Sequence, residues 1–451
     1  MQNVSLKKRV STSTAWVFAG HMSSQILRLA SNLIMTRLLI PDMFGVMALV
    51  TVFMMGITMF SDVGLQQNIV QSKKGEDQSY LNTAWSVQII RGVLIFLIAL
   101  LLSIGLLISQ QQNFLPDNSV YADPVLPYVL AVMSFTAVLA GFNSVNLFVL
   151  NRKLLVTKVI SIELLSQATG LIIMVLVAWF WREIWVLVLA GLISAVVKMM
   201  LSHHASLGER SRFVIDKQHL NDIIHFGKWI FLGSILGFLL SQGDRLFLGA
   251  WLTPEMLGIY SIAFFMANAA REIMKKLAGS VFYPMLSEVF RENPEKIKSV
   301  YYRLRLRVDF VTMTAAGFLA STGSVIIAFL YDDRYLESGW MFQVLSISIV
   351  FIGFNMAAAC LMARGDSKSH AIMMMVTVGA LFIGLPVAHN FYGLIGAVVF
   401  IALLDMANIP TTLYMMKRAG ILNIKREFLM LPMFFVAYFL GNYLVSFIGW
   451  Q

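Results

Sequence analysis

The sequence predicts an all-α polytopic membrane protein, built as two pseudo-symmetric six-helix lobes with a thirteenth helix at the C-terminal end. Three observations predict it. Of 451 residues, 58% are hydrophobic and only 13% are charged, against roughly 25% charged in an ordinary soluble domain. Apolar windows long enough for a hydrocarbon core of roughly 30 Å recur along the whole chain. One short motif is written twice. LIPDMFGV, Leu39 to Val46, returns as LTPEMLGI, Leu252 to Ile259, and the shift carries Pro41 to Pro254 and Gly45 to Gly258.

Thirteen candidate spans follow from the hydropathy pattern: 13–38, 43–61, 82–109, 124–149, 155–180, 184–203, 223–249, 255–285, 306–330, 339–362, 370–388, 392–416 and 427–449. Turn signals separate them, among them Pro41-Asp42, Pro116-Asp117-Asn118, Pro254, Asp332-Asp333, Arg364-Gly365-Asp366 and Asn390. The longest polar run, Ser202 to Asn221, is too short for a soluble domain. The expected division is an N-lobe over 1–205, a cytoplasmic linker over 206–222, a C-lobe over 223–418 and the extra helix over 427–449. The basic start (Lys7, Lys8, Arg9) leads into a segment holding His21, Gln25 and Arg28. It has no pure apolar core with a cleavage site, so it reads as the first span and not as a secretory signal. Cys360 stands alone and can form no internal disulfide.

With the N-terminus cytoplasmic, alternate loops obey the positive-inside rule. The inside segments hold Lys7, Lys8, Arg9, Lys73, Lys74, Arg152, Lys153, Lys158, Arg210, Arg212, Lys217, Arg291, Lys296, Lys298, Arg303, Arg305, Arg307, Arg364, Lys368, Lys417, Arg418, Lys425 and Arg426. The outside loops hold Arg37, Arg182 and Arg334. The net charge of +10 is therefore a topology signal. A nucleic-acid partner would need a continuous basic face, and none is expected.

Eight cations remain within or beside spans: Arg28, Arg91, Lys198, Lys228, Arg245, Arg271, Lys275 and Lys276. An ionised side chain at bilayer depth costs at least about 2.5–3.5 kcal/mol. Lys198 and Lys228 lie near cytoplasmic ends, where a lysine snorkels. In the first span Thr14 is joined by His21, Gln25, Arg28 and Asn32, the last four at helical spacing and so on one stripe. That stripe must face protein or water. It is either a polar seam against a neighbouring helix or the wall of a solvated cavity. Gln88 and Arg91 share a face of the third span. Ser234, Ser241 and Arg245 are in phase on the seventh, with Asp244 adjacent as a local partner for Arg245. Asn268, Arg271 and Lys275 are in phase on the eighth. Two cations at i and i+4 repel, so Arg271 and Lys275 imply an anion nearby, unless the helix has already left the membrane. An excess of buried cation over acid in both halves would make an anion-attracting cavity. A diphosphate suits Arg, whose planar fork forms bidentate charge-assisted hydrogen bonds.

Acids in or near spans are Asp62, Glu163, Asp244, Glu272, Asp309 and Asp405. Asp62 and Asp309 are placed near cytoplasmic ends. Asp244, Glu163 and Asp405 are candidates for ion-pair partners or for coupling to H+ or Na+. The chain has no HExxH, no phosphate-binding loop and no Cys/His cluster. His203-His204 is a weak metal signal only. No metal, no other cofactor and no enzymatic chemistry is expected.

In both copies the repeated motif follows a helix with a polar stripe and starts the next helix. Thr253, Pro254 and Glu255 read as N-cap, first helical residue and an acid against the helix dipole. Ile40 is a poorer cap for Pro41-Asp42. The glycine four residues on permits close helix packing. The same shift sends His21, Gln25, Arg28 and Asn32 to Ser234, Phe238, Ser241 and Arg245, so the two stripes are in phase. Arg152 and Arg364 form a fainter echo. An even number of spans between equivalents gives both halves the same orientation, the parallel repeat of some secondary transporters.

The stretches TRLLIPDMFGVMALV, FSDVGLQQNIVQSKKGEDQSYLNTAWSVQIIRG, GDRLFLGAWLTPEMLGIYSIAFF, VFYPMLSEV and YDDRYLESGWMFQVLSISI resemble the Wzx-type oligosaccharide flippases. These are the polysaccharide transporter branch of the multidrug/oligosaccharidyl-lipid/polysaccharide superfamily. The resemblance runs from about residue 10 to 420. It implies a bacterial inner-membrane protein that moves an undecaprenyl-diphosphate-linked sugar repeat unit to the periplasmic leaflet by alternating access between two lobes in a V shape. Polysaccharide polymerase and chain-length machinery are implied partners. Cationic cavity residues are a family theme, carried here onto Arg28, Arg91, Arg245, Arg271 and Lys275, beside His21, Gln25 and Asn32. An ion-coupled multidrug exporter on the same fold is the alternative. A membrane polymerase or ligase would need a larger periplasmic segment than the short run from Gln110 to Asp123.

Overall fold

A computed structural model describes the backbone of residues 6–204, 207–447 and 449. The side chains at 6–15, 226, 228–230, 232, 276–281, 283–284 and 367 lie outside the described residues, and with them Lys7, Lys8, Arg9, Thr14, Lys228 and Lys276. All regular structure in the described residues is helical. Two compact units form: Met1–Phe238 with Leu248–Gly258, and Leu239–Phe247 with Ile259–Gln451.

The first unit holds α1 (Leu6–Leu38), α2 (Pro41–Phe60), α3 (Leu65–Gln71), α4 (Gln78–Gln111), α5 (Leu126–Met133), α6 (Phe135–Gly141), α7 (Asn146–Arg152), α8 (Val156–Phe180) and α9 (Trp185–Ser202). α10 (Lys217–Trp251) and α11 (Pro254–Glu292) contribute residues to both units. The second unit continues with α12 (Ile297–Leu330), α13 (Ser338–Ser346), α14 (Ile352–Ala363), α15 (Ser367–Leu403), α16 (Ile409–Arg418), α17 (Ile424–Glu427) and α18 (Leu431–Phe447).

The expected linker over 206–222 is not where the units divide. The backbone of that stretch is pinned to α4. The Asn82 side-chain oxygen accepts from Arg212 N at 2.8 Å, the Ser86 hydroxyl donates to Val214 O at 3.0 Å, and the Thr83 hydroxyl accepts from Asp216 N at 3.1 Å. Asp216 then caps α10 through the amides of Gln218 and His219. The first half of α10 packs within the first unit, with Ile223 in the cluster of Leu65, Ile69 and Tyr80 and Phe238 edge-on to Phe60.

The repeated motif starts α2 and α11 as its residue types require. Pro41 opens α2 with Asp42 in the first turn and no side-chain cap from Ile40. Thr253 caps α11, accepting from Met256 N at 3.2 Å. The two copies meet inside the first unit. A Cβ on Gly45 would overlap the carbonyl of Pro254, and one on Gly258 would overlap the carbonyl of Pro41. The contact is reciprocal, and only glycine leaves room for it.

Among the described residues eight helices are long and apolar enough to cross a membrane, and the bent stretch Leu126–Gly141 with Asn146–Arg152 makes a ninth. Two spans were expected over 370–388 and 392–416, and one apolar helical stretch over 368–418 holds both. The chain breaks there at Gly393, whose φ of 58° favours glycine. The fourth expected span is not one straight helix: it bends by 61° between α6 and α7. The amide of Ser144, freed at the bend, donates to the Ser202 hydroxyl at 2.9 Å. The last helix is not an appendage. α18 lies along α12, with Gly317 against the Phe434 carbonyl and Gly441 against the Ser321 side chain.

Gly45→Val forces a branched side chain into the Pro254 carbonyl, an overpacking cost of about 1–3 kcal/mol. The thermal midpoint of the purified protein is expected to fall. Gly105→Ala is the control, because nothing lies within 4 Å of a Cβ there and alanine favours a helix interior over glycine by about 1 kcal/mol.

Candidate functional site

In the first unit α1 docks on α8. Gly20 gives way to Ile160, the Ser24 hydroxyl donates to Gln167 Oε1 at 2.8 Å, and Met35 and Leu39 pack with Met174 and Ala178. That seam uses residues 20, 24 and 35. The stripe of His21, Gln25, Arg28 and Asn32 adjoins it on the helix surface. Arg28 is exposed, and among the described residues no carboxylate lies within ion-pair distance of it. His21, Gln25 and Asn32 are half-buried.

Arg91 is spoken for. Its guanidinium donates to Thr58 O at 2.7 Å and Ser61 Oγ at 3.2 Å, and lies 3.7 Å from Asp62. It satisfies the C-terminal end of α2, where free carbonyls and the helix dipole favour a cation. Gln88, on the same face, donates to the carbonyls of Ala140, Gly141 and Asn143 at the end of α6. Glu163 pairs with Lys198 at 3.4 Å.

In the second unit Tyr260, Phe264, Arg271 and Lys275 follow one face of α11. The Tyr260 hydroxyl donates to Asp244 Oδ2 at 2.7 Å. Arg245 does not pair with its neighbour Asp244 among the described residues. Its guanidinium lies 4.2 Å from the Phe264 ring centroid and donates to Gln242 Oε1 at 2.8 Å. Arg271 forms an ion pair with Asp405, which also accepts from Asn355 Nδ2 at 3.3 Å. Lys275 lies 3.5 Å from Glu272. The anions implied by the Arg271–Lys275 repulsion are thus supplied by the chain. This corrects the expected cation excess for the second unit: Arg245, Arg271 and Lys275 are matched in number by Asp244, Glu272 and Asp405. What stays open there is donor capacity, since the Nε–H groups of Arg245 and Arg271 are buried without an acceptor among the described residues. A buried orphan donor costs about 1–3 kcal/mol.

Three loop cations have structural work that their sequence positions hid. Arg152 donates to the carbonyls of Ile69, Val70 and Ser72 at the end of α3, and Arg364 to Ala419 O at the end of α16. Arg305, expected to be a cytoplasmic topology charge, is wholly buried on α12 with Asp309 and Glu427. Its i,i+4 spacing to Asp309 was readable. Glu427, more than a hundred residues away, was not. His203, half of the weak metal signal, places Nε2 at 2.7 Å from Phe142 O. Outside the spans, Glu76 is held below the usual carboxylate range by the Lys153 hydrogen bond and by the charges of Lys153 and Arg152.

The fold is that of a multi-pass α-helical membrane protein. Residues 34–340 match the model of the polysaccharide biosynthesis protein family, and the chain belongs to that family. It is 23% identical to an uncharacterized membrane protein in the cps region of Klebsiella pneumoniae, covering 77% of this chain and 69% of that one. It is 19% identical to the lipopolysaccharide biosynthesis protein WzxC of Escherichia coli K12, over 97% and 89%. Among solved structures it is similar to the lipid II flippase MurJ in an inward closed conformation, with TM-score 0.69, 14% identity and coverage of 94% and 92%. It is also similar to an inward-facing MATE family multidrug transporter, with TM-score 0.60, 14% identity and coverage of 91% and 95%. Both likenesses concern the fold.

Two outcomes test these pairings. In a double-mutant cycle of Arg271→Gln and Asp405→Asn, thermal unfolding is expected to give a coupling of about 1–3 kcal/mol. Glu76 has a lowered folded-state pKa, so its stabilisation is present above the ordinary glutamate value and lost as pH falls through the lowered one. Half-exposed, it contributes below about 1 kcal/mol, and Glu76→Gln should flatten only that acid limb of a stability profile.

Proposed function

We propose that the chain moves an undecaprenyl-diphosphate-linked oligosaccharide repeat unit across the bacterial inner membrane during surface polysaccharide biosynthesis. Movement is from the cytoplasmic to the periplasmic leaflet, by alternating access, with the N-terminus cytoplasmic and polymerase and chain-length machinery as downstream partners. The observation that carries the reading is membership of the polysaccharide biosynthesis protein family, with Arg28 exposed on a polar stripe of α1. The names of WzxC, a lipopolysaccharide biosynthesis protein, and of the lipid II flippase point to the same class of cargo.

The chemistry supports it. A lipid diphosphate combines a compact double anion with a sugar rich in hydroxyls. Arg28 offers a charge with no carboxylate beside it among the described residues, and His21, Gln25 and Asn32 bring polar groups suited to sugar on the same stripe. Arg245 and Arg271 each hold an unused N–H for a phosphate oxygen, and Lys275 adds a cation one turn from Arg271. Arg91 supports α2 more than cargo. The driving force in this reading is an H+ or Na+ gradient, with Asp244, Glu163 and Asp405 as the acids that would respond.

An ion-coupled multidrug exporter is the second reading, favoured by the likeness to the MATE transporter. Complementation separates the two. The chain should restore surface polysaccharide to a flippase-null strain and leave drug sensitivity unchanged. Arg28→Gln should cut polysaccharide at least about tenfold, the loss of roughly 1.4 kcal/mol of binding, at normal protein level. Arg28→Lys should retain part of it. Restored drug resistance without polysaccharide would reverse the assignment.

A further inference from the structure

Arg305, Asp309 and Glu427 form a cluster that the cargo path does not use. Their side chains are 0%, 1% and 0% exposed. Arg305 Nε donates to Asp309 Oδ2 at 3.0 Å, and Nη1 donates to Tyr301 Oη at 2.8 Å and pairs with Glu427. The Phe354 ring lies 4.5 Å from the guanidinium. Tyr302 donates to Glu427 Oε1 at 2.6 Å and accepts from Asn423 N at 2.7 Å. One guanidinium therefore faces two carboxylates. With both ionised, these three side chains would keep a net negative charge while fully buried, which proteins avoid by neutralising a group.

Asp309 is where the imbalance shows. Its Oδ1 is buried with no hydrogen-bond partner among the described residues, and Gly353 of α14 lies so close that a Cβ there would strike the oxygen. The charges acting on Asp309 are Arg305 and Glu427. The other titratable groups of the cluster are Tyr301, Tyr302, Cys360 of α14 beside Tyr301, and Arg426 of α17, whose guanidinium lies 5.8 Å from the Tyr302 ring centroid. α11, the 347–351 turn and α18 pack on this stretch of α12 with apolar side chains, among them Met274, Ile349 and Phe434. A sodium ion needs several oxygens arranged around open space. Gly353 occupies that space, and no grouping of three acidic or metal-ligating residues occurs among the described residues.

We infer that Asp309 is a buried proton-binding site, its Oδ1 carrying a proton that balances the Arg305–Glu427 pair and holds the α17–α18 segment on α12. Glu427 belongs to α17, and α18 follows directly, so the cluster links protonation to the docking of the C-terminal segment. Stability contributed by the proton is present at low pH and is lost as pH rises and the proton leaves.

The test uses the purified full chain in detergent, with Asp309→Asn as the variant, since an amide copies the shape and neutrality of a protonated carboxyl. Wild type is expected to lose about 2 °C of thermal midpoint per pH unit across its titration window, while Asp309→Asn stays flat. Infrared spectra should show a protonated-carboxyl C=O band that Asp309→Asn lacks and Glu427→Gln keeps or shifts. Identical pH profiles with no band lost would overturn the proposal. So would a sodium-dependent rise of the midpoint at fixed pH that Asp309→Asn abolishes, since that assigns the site to the metal ion. Failure of Asp309→Asn to fold would also overturn it, because a neutral side chain of that shape should then be native.

Discussion

An ionised side chain taken out of water is stable only where the chain answers it. In this protein most answers come from a neighbouring helix. Arg91 takes the end of α2 and Asp62, Arg271 takes Asp405, Lys198 takes Glu163 and Arg305 takes two acids at once. These pairings fix which faces of α4, α8, α11 and α12 turn inward. They also sort the cations by availability. Arg28 has no acid beside it among the described residues, whereas Arg271 is held by Asp405.

The second constraint is close backbone packing. Gly45 and Gly258 each admit a proline carbonyl from the other copy of one repeated motif. Gly317 and Gly441 let α12 and α18 approach in the same way. Between apolar helices in lipid, where hydrophobic burial gives little drive, such small-residue contacts supply the association. The motif therefore acts as a helix start and as a packing surface at once.

Much of the fold was legible in the sequence, and the parts that were not have a common reason. Helix starts at Pro41 and Pro254, the turn signal at Asn390 near the break at Gly393 and the long apolar helices follow from local composition. The bend between α6 and α7 did not, because Ser144 is satisfied by Ser202 from another helix. Nor did the place where the units divide, since the 206–222 stretch looks like a polar linker and is held by α4. At the candidate site the stripe of α1 and the face of α11 were readable from spacing. Their partners were not: Asp405 lies over a hundred residues from Arg271, and Arg305 looked like one more cytoplasmic cation. Spacing reveals which residues share a face. It is silent on which distant acid meets them.

The most direct measurement is leaflet transfer in reconstituted vesicles. Purified chain is placed in liposomes holding an undecaprenyl-diphosphate oligosaccharide, and a membrane-impermeant glycosidase is added outside. The chain should make inner-leaflet sugar accessible, Arg28→Gln should slow this at least about tenfold, equivalent to roughly 1.4 kcal/mol, and cationic drugs should not compete. Sugar that stays protected in the inner leaflet, with drug moving across the same vesicles, would contradict the flippase assignment.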